Sequence, residues 1–239
     1  MVKLNNLVFV VLFFVSMVVS WFIWINAPEY LKQGGPLLVL GLTLLFLVIT
    51  FCIERSIVLW RAGGKGNMTV FIRGLKTAIR EGNVPEAIAS CKKQGGSLAN
   101  VVGAGLQRYQ TLREPSEKKE AFMETRRAID EAHSLETPLL ERNLTALATL
   151  ASIATLLGLL GTTVGMIRAF RAMSQAGAPD ATQLAIGISE ALVNTAMGLT
   201  TAIVGTVLYN YFTSRVDSFN NAIEQTTYEL LQILENRDS

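Results

Sequence analysis

The chain has 239 residues, half of them hydrophobic, with a mean hydropathy of +0.37, yet 17% of them are charged. That combination points to a membrane protein with a sizeable water-exposed part. A net charge of +2 is too small to suggest a nucleic-acid partner, and Cys52, Cys91 and the single His133 show no spacing for a disulfide framework or a zinc site.

Residues 7–25 form a near-continuous apolar segment after Lys3. A cleaved signal peptide and a retained anchor helix compete here. The apolar core exceeds the ~7–15 residues of a signal peptide, and no clean small-x-small cleavage site follows. Trp21 and Trp24 also suit a membrane interface, so residues 1–26 are read as a retained transmembrane helix, a possible signal anchor. A short polar loop containing Pro28 leads to a second span over residues 36–60. Pro36 fits the first turn of a helix, and Glu54 and Arg55 mark its wet end.

Residues 54–143 hold 15 of the 21 Lys and Arg, against 11 of the 19 Asp and Glu. By the positive-inside rule this block is cytoplasmic, with Arg55, Arg61 and Lys65 close enough to the span to count fully. Arg168 and Arg171, at the far end of the third span, disagree but are outnumbered. Asp180 stands alone between the last two spans. Four spans then leave both termini cytoplasmic.

Within residues 61–138 the periodicity predicts a cytoplasmic helical domain. Residues 68–80 repeat apolar side chains at 68, 71, 72, 75 and 79. Residues 84–94 follow, with Asn83 as N-cap and Pro85 in the first turn, and Ser97 is placed to cap 98–109. After a loop around Pro115, Ser116 and the charges at 117–120 open a long helix. Phe122, Ile129 and Leu135 lie on its drier side, and Pro138 is expected to kink it without ending it. His133 reads as a surface or packing residue. The Gly63-Gly64-Lys65-Gly66 run reads as a linker at a helix end, since no strand or Walker spacing accompanies it.

Residues 139–173 continue as a transmembrane helix with a cytoplasmic extension. Gly158, Gly161 and Gly165 share one side of it and let a neighbouring backbone approach closely in lipid. The third and fourth spans read as a hairpin of helices with a polar seam, and their glycine faces, Gly165 and Gly198 among them, are also expected to supply subunit contacts. Residues 183–213 form the last span, with Gly198 as a further packing residue, and residues 214–239 a cytoplasmic C-terminal helix. Glu190 interrupts this span and must face protein or water, because a carboxylate facing lipid costs about 2.5 kcal/mol or more. No phosphate-binding loop, metal-ligand cluster or nucleophile set accompanies these segments. The sequence therefore predicts no enzyme and implies no cofactor.

The last two spans carry a family resemblance. LLGLLGTTVGMIR at 156–168 and GISEALVNTAMGLTTAIVGTVLYN at 187–210 resemble two motifs of the MotA/TolQ/ExbB proton-channel family, in order and joined by a short loop. Length and the modest cytoplasmic block favour the ExbB/TolQ branch over the flagellar stator branch, and the chain resembles ExbB most. The resemblance implies an all-α membrane protein, multi-pass in the bacterial inner membrane, assembling as a homo-oligomeric, pentameric ring. That ring would surround an ExbD- or TolR-like single-span partner and drive a TonB- or TolA-like protein with the proton gradient. The proton-carrying aspartate would belong to the partner. The matching pore positions are Thr162, Glu190 and Thr195, where threonine hydroxyls can hold water or solvate a carboxylate. On an ideal helix Glu190 and Thr195 point about 140° apart. Asn194 and Thr201 lie closer to the Glu190 direction, so either the lumen is wide or Thr195 faces a neighbouring subunit. The chain departs from the family's pattern at Thr155 and Val204, where proline is usual, and its first span is extra. A TolQ-like envelope role and a stand-alone channel or transporter are the alternative readings. The lack of a carboxylate near mid-span favours a subunit that needs a partner.

Overall fold

The structure, a computed structural model, describes residues 2–112, 118–175 and 181–238. Ser116, Glu117, the Pro115 loop and Asp180 lie outside the described residues. The described residues form α1 (Val2–Asn26), α2 (Glu29–Lys32), α3 (Gly35–Ala62), α4 (Met68–Arg80), α5 (Val84–Gln94), α6 (Ser97–Thr111), α7 (Lys118–Glu141), α8 (Leu144–Gln175) and α9 (Ala181–Asp238). Among the described residues three stretches, Gly35–Ala62, Glu120–Ser174 and Ala181–Arg237, are long and apolar enough to cross a membrane. α1 adds a shorter apolar stretch, Val10–Asn26.

Contacts divide the chain into two units: Met1–Glu54 with Asn143–Asn210, and Arg55–Arg142 with Tyr211–Ser239. In the first, small residues set the packing of α3, α8 and α9. A Cβ on Gly205 of α9 would stand 2.9 Å from the Ala151 Cβ on α8 and 3.7 Å from Val48 Cγ2 on α3. Leu38, Leu47 and Val48 of α3 and Leu147 and Ala154 of α8 are buried among them. In lipid, such close fits give the association that the hydrophobic effect gives in water. α1 is buried along Ser16 and Ser20, whose hydroxyls bond back to carbonyls of their own helix.

The helix expected to run through Pro138 into the third span does pass Pro138, but it breaks at Asn143, whose φ is +61°. Asn tolerates that left-handed backbone better than most residues. Its side-chain amide donates to Glu54 at 3.4 Å.

The second unit is a helical bundle around Leu75, Ile79, Val101, Val102, Leu106, Ile129, Ile223, Leu230 and Leu234. The predicted stripe on α4 is the one that packs here, with Met68, Phe71 and Ile72 at its margin. Asn83 caps α5 as expected, and Asn67 caps α4. The far end of α9 is fastened by Lys76–Glu229 and by Arg237, which donates to the Tyr109 hydroxyl at 2.5 Å and to the Ile79 carbonyl at 3.4 Å. Cys91 lies in this core, where burial pushes its thiol up to about 11.

Three expectations are corrected here. Arg55 does not mark a wet end: it is 1% exposed and donates to the Leu140 carbonyl in the last turn of α7, where a helix's negative end favours a cation. Ser97 does not cap α6 but begins it, with Gly96 as the N-cap and no side-chain cap. Leu135 is 68% exposed, while Ala121, Thr125, Ile129 and Leu140 carry the buried line of α7.

Candidate functional site

α8 and α9 pair as antiparallel neighbours, and the glycines decide how closely. Gly198 faces Gly158: a Cβ on Gly198 would stand 2.6 Å from both the Gly158 Cα and the Ala154 carbonyl oxygen. Gly165 meets Ala191 and the Gly187 carbonyl in the same way, and Gly161 meets Asn194. These four glycines were expected to be helix-packing residues, with Gly165 and Gly198 also expected at subunit contacts. Within the single chain all four pack in the hairpin, because an antiparallel neighbour joined by a short loop is a near surface for them.

Because Gly158 carries no side chain, its carbonyl is reachable from α9. The Thr195 hydroxyl lies 3.0 Å from that oxygen and 3.1 Å from the Ala191 carbonyl of its own helix. Thr195 therefore turns toward α8 of the same chain.

Asn194 is 5% exposed, and its amide donates to the Gly34 carbonyl at 2.9 Å and to the Glu190 carbonyl at 3.0 Å. Thr201 is fully buried and bonds to the Met197 carbonyl at 3.0 Å. Both were expected to line a passage. In the single chain both point inward, because the Glu190 face of α9 is the face that packs on α3 and the turn before it; Met197 sits against Gly41. Thr162 is half-buried, and its hydroxyl bonds back to the Leu159 carbonyl at 2.6 Å. Next to it, Thr163 does the same to Leu160 and is exposed.

Glu190 meets Arg168 of α8, Nη1 to Oε1, at 2.5 Å, with the carboxylate side chain 10% exposed and the guanidinium 54% exposed. Gly35, at φ +63°, sits beside the same carboxylate, so close that a Cβ there would stand 3.0 Å from Oε1. Ser189 donates to the Gln33 side chain at 2.5 Å. The arrangement gathers Arg168, Glu190 and Asn194 at the turn before α3, with Thr162 beside Gly161 on the neighbouring surface of α8. Arg168 is the member that sequence reasoning missed as a partner. The signal was present: Arg168 precedes residues 176–180 by eight positions and Glu190 follows them by ten, which an antiparallel hairpin brings to similar depth. Among the described residues no group of three or more His, Cys, Asp and Glu could hold a metal ion.

The arrangement offers hydroxyls, an amide and one ion pair, and no nucleophile with a base. Residues 94–225, which include the whole hairpin, match the MotA/TolQ/ExbB proton channel family. The chain is 37% identical over 123 residues to the Tol-Pal system protein TolQ of Haemophilus influenzae, covering 51% of this chain and 52% of the relative. It is 35% identical over 115 residues to the biopolymer transport protein ExbB of Aquifex aeolicus, covering 48% and 71%. It is 28% identical over 224 residues to ExbB of Neisseria meningitidis serogroup A, covering 90% of this chain and 100% of that protein. The chain thus spans about half the length of the TolQ relatives it matches.

Proposed function

The chain belongs to the MotA/TolQ/ExbB proton channel family, and we propose that it is the channel subunit of an inner-membrane, proton-driven motor of the ExbB type. In this reading copies of the chain form a ring, a pentamer, around the single spans of an ExbD- or TolR-like partner. Proton flow down the gradient is turned into motion and passed to a TonB- or TolA-like protein. The 61–138 block and the 214–239 helix lie in the cytoplasm.

The observation that carries the reading is the commitment of Glu190 to Arg168. Glu190 is the one carboxylate within the last two spans, residues 144–173 and 183–212; Asp180 belongs to the loop between them. With it held by a cation, the hairpin supplies no free titratable group at the level of Thr162, so a relay at mid-depth needs a carboxylate from another chain. Thr162 then solvates that carboxylate as it exchanges its proton, while Glu190, Asn194 and Thr201 shape the wall behind it. Alignment with the whole length of a neisserial ExbB supports the ExbB branch. The TolQ-like alternative rests on the higher identity over the shared half.

The test is purification from the native membrane followed by proton-flux measurement in liposomes. A small one-span protein is expected to come with the chain, and the chain alone is expected to be close to proton-tight. A proton flux carried by the chain alone, undiminished without any partner, would favour a stand-alone channel and refute the proposal.

A further inference from the structure

The second unit holds a cavity of about 750 Å³ that no residue of the hairpin lines. Trp60 and Arg61, from the last turn of α3, form one wall, and the turns around Lys65 and Gly95 form the others. The walls are fixed by backbone contact. A Cβ on Gly96 would stand 2.4 Å from the Ala62 carbonyl oxygen, and one on Gly64 would stand 2.5 Å from the Gly95 oxygen; both glycines have positive φ. The Lys65 amide donates to the Gln94 carbonyl at 2.8 Å, and the Gln94 side chain reaches the carbonyls of Gly63 and Gly66. The glycine run that reads as a linker is therefore one side of a built hollow.

Its electrostatics are one-sided. Arg61 and Lys65 are exposed on its walls, and among the described residues no carboxylate lines it. α6 opens at Gly96 without a side-chain cap, so the positive end of that helix adds to the two cations. Location narrows the ligand. α3 has 28 residues, roughly 42 Å against a hydrocarbon core of about 30 Å, long enough for its last turn to reach the headgroups. Trp60 is 80% exposed there, as suits a residue at a membrane interface.

We propose that this cavity binds a phosphate group carried by an anionic phospholipid, with Arg61 and Lys65 on the phosphate and Trp60 and Ile57 beside the glycerol and upper acyl chain. Ile57 is 46% exposed one turn back along α3. The proposal does not rest on the ion path. A soluble phosphate ester offers the same anionic chemistry without the apolar part.

The test uses the full-length protein in its purified oligomeric form. Native mass spectrometry with added phosphatidylglycerol, and with phosphatidylcholine for comparison, measures lipid binding; thermal unfolding with inorganic phosphate tests the soluble source. Phosphatidylglycerol is expected to bind in preference to phosphatidylcholine. Arg61→Gln and Lys65→Gln should each weaken it about fivefold, and together about 30-fold. The exposed pair Arg126→Gln with Arg127→Gln removes the same charge from α7 and should leave binding unchanged. Equal binding by the wild type and the Arg61/Lys65 double variant overturns the site, and so does equal weakening by the α7 pair. Stabilisation by inorganic phosphate that the double variant loses, with lipid binding unchanged, overturns the lipid as carrier.

Discussion

Arg168 and Glu190 meet across the α8–α9 hairpin at 2.5 Å, with the carboxylate nearly buried and the guanidinium half exposed. Arg168 thus has a counter-ion within the chain, on the neighbouring helix. The geometry also makes the two partners unequal. Arg168→Gln leaves a nearly buried carboxylate beside Gly35 with its cation gone, whereas Glu190→Gln leaves an amide that can still accept from Arg168. The first should therefore destabilise by roughly 2–3 kcal/mol, less than for a fully buried pair because water screens the exposed partner, and the second by less. Thermal unfolding of the purified protein checks the order. Exchanging the two residues should recover much of the loss, and equal losses in both single variants would remove the pair from its structural role.

The threonines separate in a different assay. Thr195→Val removes a hydroxyl that bonds to another helix and should cost about 1 kcal/mol of stability. Thr162→Val removes one that bonds only to its own preceding turn, so stability should hold. If Thr162 solvates a partner's carboxylate, proton-gradient-dependent uptake should nevertheless fall steeply in that variant, with the partner still co-purifying. Full uptake with Thr162→Val would take Thr162 out of the path.

Gly198→Ala should damage the hairpin itself. The added methyl would meet two backbone atoms at 2.6 Å, an overpacking that costs about 1–3 kcal/mol. Gly74→Ala on α4 is the opposite case, with nothing within 4 Å of the new Cβ. It should be neutral or stabilise by about 0.5–1 kcal/mol. Melting temperatures of the two variants, measured in the same detergent, should move in opposite directions or differ by several degrees.

Acid should loosen the second unit. The Lys76 ammonium beside Glu229 and the Arg108 guanidinium beside Glu124 hold both carboxyls below their ordinary value of 4.5. A carboxyl with a depressed folded-state pKa contributes stability above its unfolded value and loses that contribution as pH falls through the folded one. Unfolding temperature should therefore drop below about pH 4.5, and less steeply in Lys76→Met. Because both carboxylates face solvent, added salt should shrink the difference.

The sequence made the helices legible because their signals are local. Apolar runs, the α4 stripe and the Asn83 cap depend on neighbours within a turn or two. Residues whose fate depends on a distant segment were not legible. Arg55 reads as the wet end of a span until Leu140, far along the chain, offers it a carbonyl. Ser97 has the right side chain for a cap, but the chain path at Gly95 and Gly96 starts the helix one residue sooner. The glycine positions in the hairpin were readable as packing residues. The hairpin partner was readable too, since a short loop makes the next span the neighbour; which atoms each glycine meets was not, since periodicity gives a face without the register across it.

The turn before α3 and the face of α9 are joined by bonds that leave little play. Ser189 holds Gln33, Asn194 holds the Gly34 carbonyl, and Thr195 reaches the Gly158 carbonyl on α8. Rotating α9 about its axis, or sliding it by a fraction of a turn, breaks all of these at once. In mechanical terms these three spans behave as one block that tilts or shifts together, so in the proposed motor any turning part would have to be supplied by another chain.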